Sequence, residues 1–161
     1  MQIRPATPDD WPAIVAIYNE AIPSRLATAD LEPATLESKQ AWFQAHNPNR
    51  RPLLVAELDG MVAGWASLSD FYGRPAYAAT AEVSVYVAAR FQKRGVAGQL
   101  LAHMVQRRAD WGITTLLAFV FDHNTPSRQL FEKAGFQQWG HCPGIAQLDD
   151  CRVGLLIYGR Q

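Results

Sequence analysis

The amino-acid sequence predicts an α/β (α+β) fold in which helices flank one mixed β-sheet, and two observations carry this prediction. Residues 82–121 read as a strand, a helix and a second strand, which requires a parallel pair joined by a right-handed crossover. Asp59-Gly60 lies between two apolar runs and is typical of a β-hairpin, whose strands are antiparallel. The 161 residues fit a single domain, 1–161, with elements in the order β α α β β β α β α β β.

The first part of the chain supplies a strand, two helices and the hairpin. Met1–Pro5 reads as a short strand. Thr7 is a suitable N-cap for a helix that has Pro8 at its first position. The apolar face of that helix consists of Trp11, Ile14, Val15, Ile17, Tyr18 and Ile22. The remaining elements of this part are a helix at about 35–46 and strands at Leu53–Leu58 and Met61–Ser69.

The second part contributes the strand–helix–strand unit and three closing elements. Glu82–Val87 is rich in β-branched and aromatic residues in near alternation, which indicates a strand. The apolar stripe of the following helix consists of Val96, Leu100, Leu101, Met104 and Val105. Gly112 ends this helix, and the continuous apolar run Thr114–Phe121 suits a strand buried on both faces. The closing elements are a helix at about 125–135 and strands at Phe136–Cys142 and Arg152–Tyr158.

Composition excludes several classes of function. The 15 basic and 15 acidic residues balance, so no overall field attracts nucleic acid or an anionic membrane. No apolar run reaches the roughly 20 residues of a membrane helix, and the first residues do not resemble a secretory signal. Cys142 and Cys151 have neither CxxC nor metal-ligand spacing. We therefore expect a cytoplasmic protein with reduced cysteines, no metal, and no nucleic-acid or membrane partner.

The turn Gln92–Gly98, between the central strand and its helix, predicts a site for pyrophosphate. Gly95 and Gly98 allow the main chain to approach a bulky group closely, and the helix start leaves several N–H groups unpaired. Such a helix start attracts phosphate. Positive charge comes from Lys93, Arg94 and Arg90. An ordinary basic turn between a strand and a helix remains the alternative interpretation of this short pattern.

The pattern Gln92-x-x-Gly95-x-Ala97 resembles the acetyl-coenzyme A signature Q/R-x-x-G-x-G/A of the GCN5-related N-acetyltransferases (GNAT). A second block at 124–136, containing Asn124, Ser127 and Leu130-Phe131, is similar to the second cofactor motif of that family. Two motifs at the right separation are far more specific than one. Within the family the chain most resembles the phosphinothricin and methionine sulfoximine acetyltransferases, by residues 3–6, 17–19 and 80–87.

The resemblance implies a single-domain GNAT fold whose sheet is splayed at its centre, with acetyl-CoA bound between the parted parallel strands. Freed main-chain groups of Val85, Tyr86 and Val87 would pair with the pantetheine amides. The pyrophosphate would bind the main-chain amides of Lys93, Arg94, Gly95, Val96, Ala97 and Gly98. Asn124 would hydrogen-bond the pantetheine arm, and its alternative role is that of a loop or capping residue.

Glu82 is the predicted general base, because an amine must lose a proton before or during its attack on a thioester. Strands disfavour glutamate, and the matching position of the family is acidic. The alternative is an exposed strand carboxylate or an ion-pair partner. Arg74, beside Tyr72, is predicted to bind a substrate carboxylate bidentately, although a surface loop arginine is also possible. Ser84 completes the predicted substrate-binding set.

The resemblance implies an N-acetyltransferase that acts on a small amino acid or an analogue such as phosphinothricin, methionine sulfoximine or methionine sulfone. At pH 7 an α-amino group with a pKa of ~8 costs about 1.4 kcal/mol to deprotonate, whereas a lysine amine costs more than about 4 kcal/mol. A carboxylate base therefore suits the α-amino group. The resemblance also implies a homodimer. The alternatives are a non-catalytic acyl-CoA-binding sensor module and an acetyltransferase for protein amines.

The general acid is not identified by the sequence. Phe131 stands where many family members have a tyrosine, and Cys151 stands where related enzymes often have a histidine. His123 and His141 are further candidates, although each is more often structural. Protonation of the leaving thiolate by solvent can suffice, because its pKa is ~8.5. Trp65 is interpreted as a core residue that could also wall the pocket.

Overall fold

Seven β-strands and four α-helices are arranged along residues 1–161 of this computed structural model. The strands are β1 (Gln2–Pro5), β2 (Leu53–Leu58), β3 (Met61–Asp70), β4 (Thr80–Val87), β5 (Thr115–Phe121), β6 (Gln137–Leu148) and β7 (Cys151–Arg160). The helices are α1 (Trp11–Ala21), α2 (Leu36–Ala45), α3 (Val96–Arg107) and α4 (Thr125–Lys133). The predicted order of elements is confirmed. None of the helices is both long enough and apolar enough to span a membrane.

All seven strands form one sheet in the order β1-β2-β3-β4-β5-β7-β6. The β4–β5 pair is parallel and every other pair is antiparallel, so the sheet is mixed as predicted. The β2–β3 hairpin turns at Asp59 and Gly60, whose φ angles are 55° and 73°. Positive φ at both central residues is characteristic of the tight hairpin turn that this dipeptide favours.

The sheet is splayed between its two parallel strands. Pairing of β4 with β5 covers three register pairs and stops at Glu82 with Leu117, although β4 continues to Val87 and β5 to Phe121. Over the same length, β4 stays paired with β3 and β5 stays paired with β7. The two halves of the sheet therefore separate beyond Glu82, and a cleft opens at the centre of the sheet.

The two faces of β4 serve different purposes, because side chains alternate across a strand. Ala81 and Val83 are buried in the main apolar cluster, which also contains the inward stripe of α3. Glu82, Ser84 and Tyr86 are only partly buried and point to the opposite face, where α1 and α2 pack. The polar members of β4 therefore lie together on one face, beside the point where the strands part.

The C-terminal boundaries differ from the predicted ones. The strand expected at Phe136–Cys142 continues to Leu148, with a register irregularity between Cys142 and Ala146. The longer strand is possible because β6 is an edge strand, where a proline such as Pro143 and a bulge are tolerated. The last strand is also longer than predicted at both ends, since it begins at Cys151.

Candidate active site

The turn between β4 and α3 lies at the surface and presents unpaired N–H groups. Six consecutive main-chain N–H groups, from Lys93 to Gly98, make no hydrogen bond within the chain, and the first paired one is that of Gln99, which donates to the Gly95 carbonyl at 3.1 Å. The φ angles of Lys93 (60°) and Gly95 (79°) place both in the left-handed region, which turns the chain into the helix. The turn is thus a concentrated set of donors at a helix start.

The surroundings of this turn are open and positively charged. A side-chain carbon at Gly98 would meet no atom within 4 Å, and one at Gly95 would meet only the end of Gln99. The guanidinium group of Arg94 lies 3.3 Å from the Asp59 carboxylate and 5.4 Å from the Phe91 ring. Free donors, cationic charge and open space at a helix N-terminus fit a diphosphate group.

The cleft that begins where β4 and β5 part has a volume of about 440 Å³. Main-chain groups along a strand point alternately to its two neighbours. Just outside the ends of β4, Ala88 N donates to Ala63 O on the β3 side, and Ala79 O accepts from Thr115 N on the β5 side. The main-chain groups of even-numbered β4 residues therefore face β3, and those of odd-numbered residues face β5. Val83 directly follows the last register pair and still adjoins Leu117. The odd-numbered residues beyond it are Val85 and Val87, whose main-chain groups consequently face the cleft.

Tyr86 departs from the sequence-based expectation. Its main chain faces β3, where Tyr86 is paired with Trp65, and its carbonyl oxygen is 2.7 Å from the position that a Cβ on Gly64 would take. The main-chain groups of Tyr86 are therefore not freed for a ligand in the cleft. Its side chain contributes instead, because the Tyr86 ring lines the cleft and its hydroxyl donates to Ala27 O at 2.9 Å.

A short segment after α1, Arg25–Ala29, bridges the two parted strands. Three consecutive carbonyl groups of this segment accept hydrogen bonds from side chains on the two sides of the cleft. They are Arg25 O from His123 Nε2 (2.9 Å), Leu26 O from Asn124 Nδ2 (2.9 Å) and Ala27 O from the Tyr86 hydroxyl (2.9 Å). Residues 26–29 thereby form one side of the cleft. No local pattern in the sequence indicated this contact, because 98 residues separate His123 and Asn124 from the carbonyls that they bind.

Asn124 is buried and lines the cleft, where it caps a helix. Its Oδ1 accepts from Ser127 N at 3.1 Å at the start of α4, and its amide donates to Leu26 O. The capping role that the sequence left open is thus present. Contact between Asn124 and a pantetheine arm remains a prediction.

Glu82 lines both the cleft and a second, smaller cavity. Its carboxylate makes no hydrogen bond and no ion pair, although the residue is partly buried. Burial raises the pKa of the Glu82 carboxyl above its ordinary value. An unpaired carboxylate with a raised pKa, situated where the two strands part, is suited to accept a proton from a bound amine.

The second cavity, which we call the aromatic cavity, has a volume of about 210 Å³ and lies between β4 and helices α1 and α2. Its walls include Tyr18, Lys39, Trp42, Trp65, Ser84 and Tyr86. Trp65 stacks on Tyr86 with ring centroids 4.6 Å apart, and its Nε1 donates to Ile14 O at 3.1 Å. Trp65 is therefore both a core residue and a cavity wall.

A polar network at the mouth of the aromatic cavity was not predicted from the sequence. The Tyr18 hydroxyl donates to the Asp30 carboxylate at 2.5 Å and lies 2.5 Å from the Thr28 hydroxyl. Lys39 Nζ lies 3.7 Å from Asp30 and 4.4 Å from the centre of the Tyr18 ring. Burial, and secondarily Asp30, raise the pKa of Tyr18 to about 12, so this hydroxyl stays protonated. Tyr18 was interpreted only as a helix-face residue, and no local pattern marked Lys39.

Two predicted substrate residues lie outside both cavities. Tyr72 is 73% exposed, and the exposed Arg74 side chain makes no hydrogen bond or ion pair. Their loop approaches the site through Phe71, whose ring stacks 6.4 Å from Phe119, a residue that lines the cleft. The role of Tyr72 and Arg74 in substrate binding remains a prediction. Ser84, by contrast, lines both cavities with Glu82.

The candidates for a general acid are not gathered at Glu82. Phe131 lines the cleft but carries no exchangeable proton, and Cys151 is exposed and lines neither cavity. His123 and His141 flank Asp122, at 3.8 and 3.5 Å, outside both cavities. The chain has no cluster of three His, Cys, Asp or Glu side chains suited to hold a metal ion.

A splayed mixed sheet with a phosphate-type turn at one end of its cleft defines a class of enzyme. The model of the acetyltransferase (GNAT) family matches residues 11–136, and the chain belongs to this family of acetyltransferases. It is 49% identical to YwnH of Bacillus subtilis (strain 168), a candidate phosphinothricin acetyltransferase, over 100% of this chain and 99% of that protein. It is 34% identical to the L-methionine sulfoximine/L-methionine sulfone acetyltransferase of Pseudomonas paraeruginosa, over 90% of this chain and 85% of that enzyme.

A solved structure agrees with this assignment. The phosphinothricin acetyltransferase of Sinorhizobium meliloti, determined in complex with acetyl-CoA, superimposes with a TM-score of 0.93 at 25% identity, over 99% of this chain and 86% of that one. The chain is thus an N-acetyltransferase of the phosphinothricin and amino-acid acetyltransferase group.

Proposed function

We propose that this enzyme transfers the acetyl group of acetyl-CoA to the amino group of a small amino acid or analogue, of the phosphinothricin or methionine sulfoximine/sulfone kind, with Glu82 as general base. The observation that carries the proposal is the position of Glu82. It is a partly buried, unpaired carboxylate in the last register pair before β4 and β5 separate, and it borders both cavities.

Acetyl-CoA would bring the activated acetyl thioester, and the residues of the cleft and the turn fit its two ends. The cleft-facing main-chain groups of Val85 and Val87 can pair with pantetheine amides, as a neighbouring strand would. The N–H groups of Lys93–Gly98 can bind the diphosphate. The N–H of Val85 is also suited to stabilise negative charge that develops on the thioester oxygen.

 The raised pKa of the Glu82 carboxyl brings proton acceptance closer to neutral pH. Removing a proton from an α-amino group costs about 1.4 kcal/mol at pH 7, against more than about 4 kcal/mol for a lysine side chain. This difference favours a free amino acid over a protein lysine as acceptor. The leaving thiolate, with a pKa of ~8.5, can take its proton from solvent, so no residue need replace the tyrosine that Phe131 lacks.

The proposal has further parts that rest on the family resemblance. Arg74 and Tyr72 would approach the substrate carboxylate from the loop after β3, and Ser84 would contact the substrate beside Glu82. The whole chain, 1–161, would act as one N-acetyltransferase domain, as a homodimer in the cytoplasm. The free cysteines Cys142 and Cys151 are consistent with a reducing compartment.

The test is a thiol-release assay with acetyl-CoA and a panel of methionine sulfone, methionine sulfoximine, phosphinothricin and a lysine peptide. Glu82→Gln should lower kcat by about 10²–10⁴-fold, the usual contribution of a general base, and leave acetyl-CoA affinity unchanged by calorimetry. Glu32→Gln is the matched control, because Glu32 is exposed and lines neither cavity.

Three outcomes would contradict the proposal. Equal turnover by Glu82→Gln would remove this residue from the mechanism. Tight acetyl-CoA binding without thiol release for any amine would instead support a sensor module. Turnover of the lysine peptide alone would support an acetyltransferase for protein amines.

A further inference from the structure

We propose that Lys39 binds the α-carboxylate of the amino-acid substrate inside the aromatic cavity and so selects α-amino acids over simple amines. The inference rests on the proposed function, because it assigns a role in recognising that substrate. Lys39 belongs to α2 and was not singled out by any sequence pattern.

The first argument is a count of cations. Lys39 is the one basic side chain among the residues that line either the cleft or the aromatic cavity. A carboxylate that leaves bulk water needs a charged or hydrogen-bonding partner to offset its desolvation. Arg74, the cation suggested by the sequence, lines neither cavity. Lys39 is therefore the cation that this chain offers to a carboxylate bound beside Glu82.

The second argument is that the Lys39 ammonium group is held in place while its donors stay free. Its Nζ makes no hydrogen bond within the chain, since its carboxylate neighbour Asp30 lies 3.7 Å away. The Tyr18 ring, 4.4 Å from Nζ, attracts the charge through its face and uses none of the N–H donors in a conventional hydrogen bond. An ammonium group positioned in this way can donate directly to a ligand.

The third argument is the charge pattern of the cavity. Glu82 and Lys39 are its only two charged side chains, and they have opposite signs. An α-amino acid carries an ammonium and a carboxylate group on one carbon, so it matches this pair. The cavity, about 210 Å³ in volume and walled by rings such as Trp42, leaves little water to screen the interaction. A lysine side chain of a protein has no carboxylate beside its amine and would leave Lys39 unused.

The test compares an acid with its neutral counterpart. Steady-state kinetics are measured for methionine sulfone and for methionine sulfone carboxamide with the wild type and with Lys39→Met. We expect KM for the acid to rise about 10–100-fold in Lys39→Met, the loss of a hydrogen bond between charged groups, and KM for the carboxamide to change by less than about threefold. Lys39→Arg should keep most of the affinity for the acid. Lys133→Met, which removes an exposed lysine at the end of α4, is the matched control.

The outcomes separate the two proposals. A wild type that acetylates the acid, together with an unchanged KM in Lys39→Met, overturns the role of Lys39 alone. An equal rise in KM for the acid and the carboxamide in Lys39→Met overturns it too, because such a rise indicates that Lys39 acts only structurally, through Asp30 and Tyr18. If KM rises selectively for the acid in Arg74→Gln but not in Lys39→Met, the residue that binds the carboxylate is Arg74 and not Lys39. A wild type that acetylates neither these compounds nor any other amino acid of the panel overturns the proposed function and this inference together.

Discussion

Gly64 offers a test of how closely the sheet and α3 are joined around the proposed acetyl-CoA site. Gly64 lies in β3 opposite Val87 of β4. A Cβ added at Gly64 would come within 2.7 Å of the Tyr86 carbonyl oxygen and within 3.2 Å of methyl carbons of Val87 and Val96. The first of these neighbours is main chain in a paired strand, so it cannot move aside as a flexible side chain would. Gly64→Ala should therefore displace the end of β4 or the start of α3.

The size of the effect follows from the cost of overpacking. Inserting a methyl group into a tightly packed region costs about 1–3 kcal/mol of unfolding free energy. For a chain of this length that corresponds to a decrease in Tm of about 2–12 °C. Because β4 and the start of α3 carry the N–H groups that we propose bind acetyl-CoA, we also expect acetyl-CoA binding to weaken by about tenfold, or about 1.4 kcal/mol.

Thermal unfolding and calorimetric titration with acetyl-CoA measure the two effects. Gly140→Ala in β6 is the matched control, since its added carbon would lie 3.4 Å or more from Ile157, which is ordinary contact. That control should be neutral or stabilised by up to about 1 kcal/mol, because alanine restricts the unfolded chain. If Gly64→Ala is as stable as Gly140→Ala and binds acetyl-CoA equally well, β3, β4 and α3 are not coupled as described.

Three further predictions concern charge and capping. Since the Glu82 pKa is raised and the base acts deprotonated, kcat/KM should fall as pH decreases through that pKa, and a pH–rate profile of Glu82→Gln should lack this limb. Asp10 accepts two hydrogen bonds from Arg4, at 2.7 and 2.9 Å, which lower its pKa. Asp10→Asn should cost about 1–3 kcal/mol in urea unfolding at pH 7, and the difference should shrink as pH falls through the lowered pKa, because the wild-type group is then protonated too. Asn124→Ala should lower the free energy of unfolding by about 1–2 kcal/mol, because it removes the cap of α4. It should also release Leu26, so that amide hydrogen exchange in residues 25–29 becomes faster. Unchanged exchange would show that the bond between Asn124 and Leu26 is dispensable.

Local chemistry made part of the candidate site recognisable in the sequence. The turn at 92–98 is recognisable because glycine, basic residues and a helix start occur within a few positions, and each acts on its immediate neighbours. Glu82 was recognisable because a glutamate is unusual in an otherwise apolar strand. The order of the elements followed from periodicity, and the fold is confirmed by its resemblance to solved acetyltransferase structures.

Features that depend on distant partners were not predictable. Whether a main-chain group of β4 faces the cleft depends on its register with β3, so the orientation of Tyr86 could not be read from its position. Lys39 and Glu82 line one cavity only because the fold brings α2 and β4 to opposite sides of it. Residues 26–29 likewise reach the cleft through partners elsewhere in the chain. The end of β6 at Leu148 was also not predictable, since an edge strand accommodates proline and a bulge that would end an inner strand.

The bridging segment has a consequence for the divergence of such enzymes. Arg25 is also held by its side chain, which pairs with Asp149 at 2.8 Å. The bonds that fasten Leu26 and Ala27 across the parted strands, by contrast, are accepted by peptide carbonyls, a group that all twenty amino acids possess. Substitutions at these positions can therefore reshape one side of the cleft without removing an anchoring acceptor. A change of acceptor preference could thus arise through single mutations, while the fastening residues Tyr86, His123 and Asn124 stay the same.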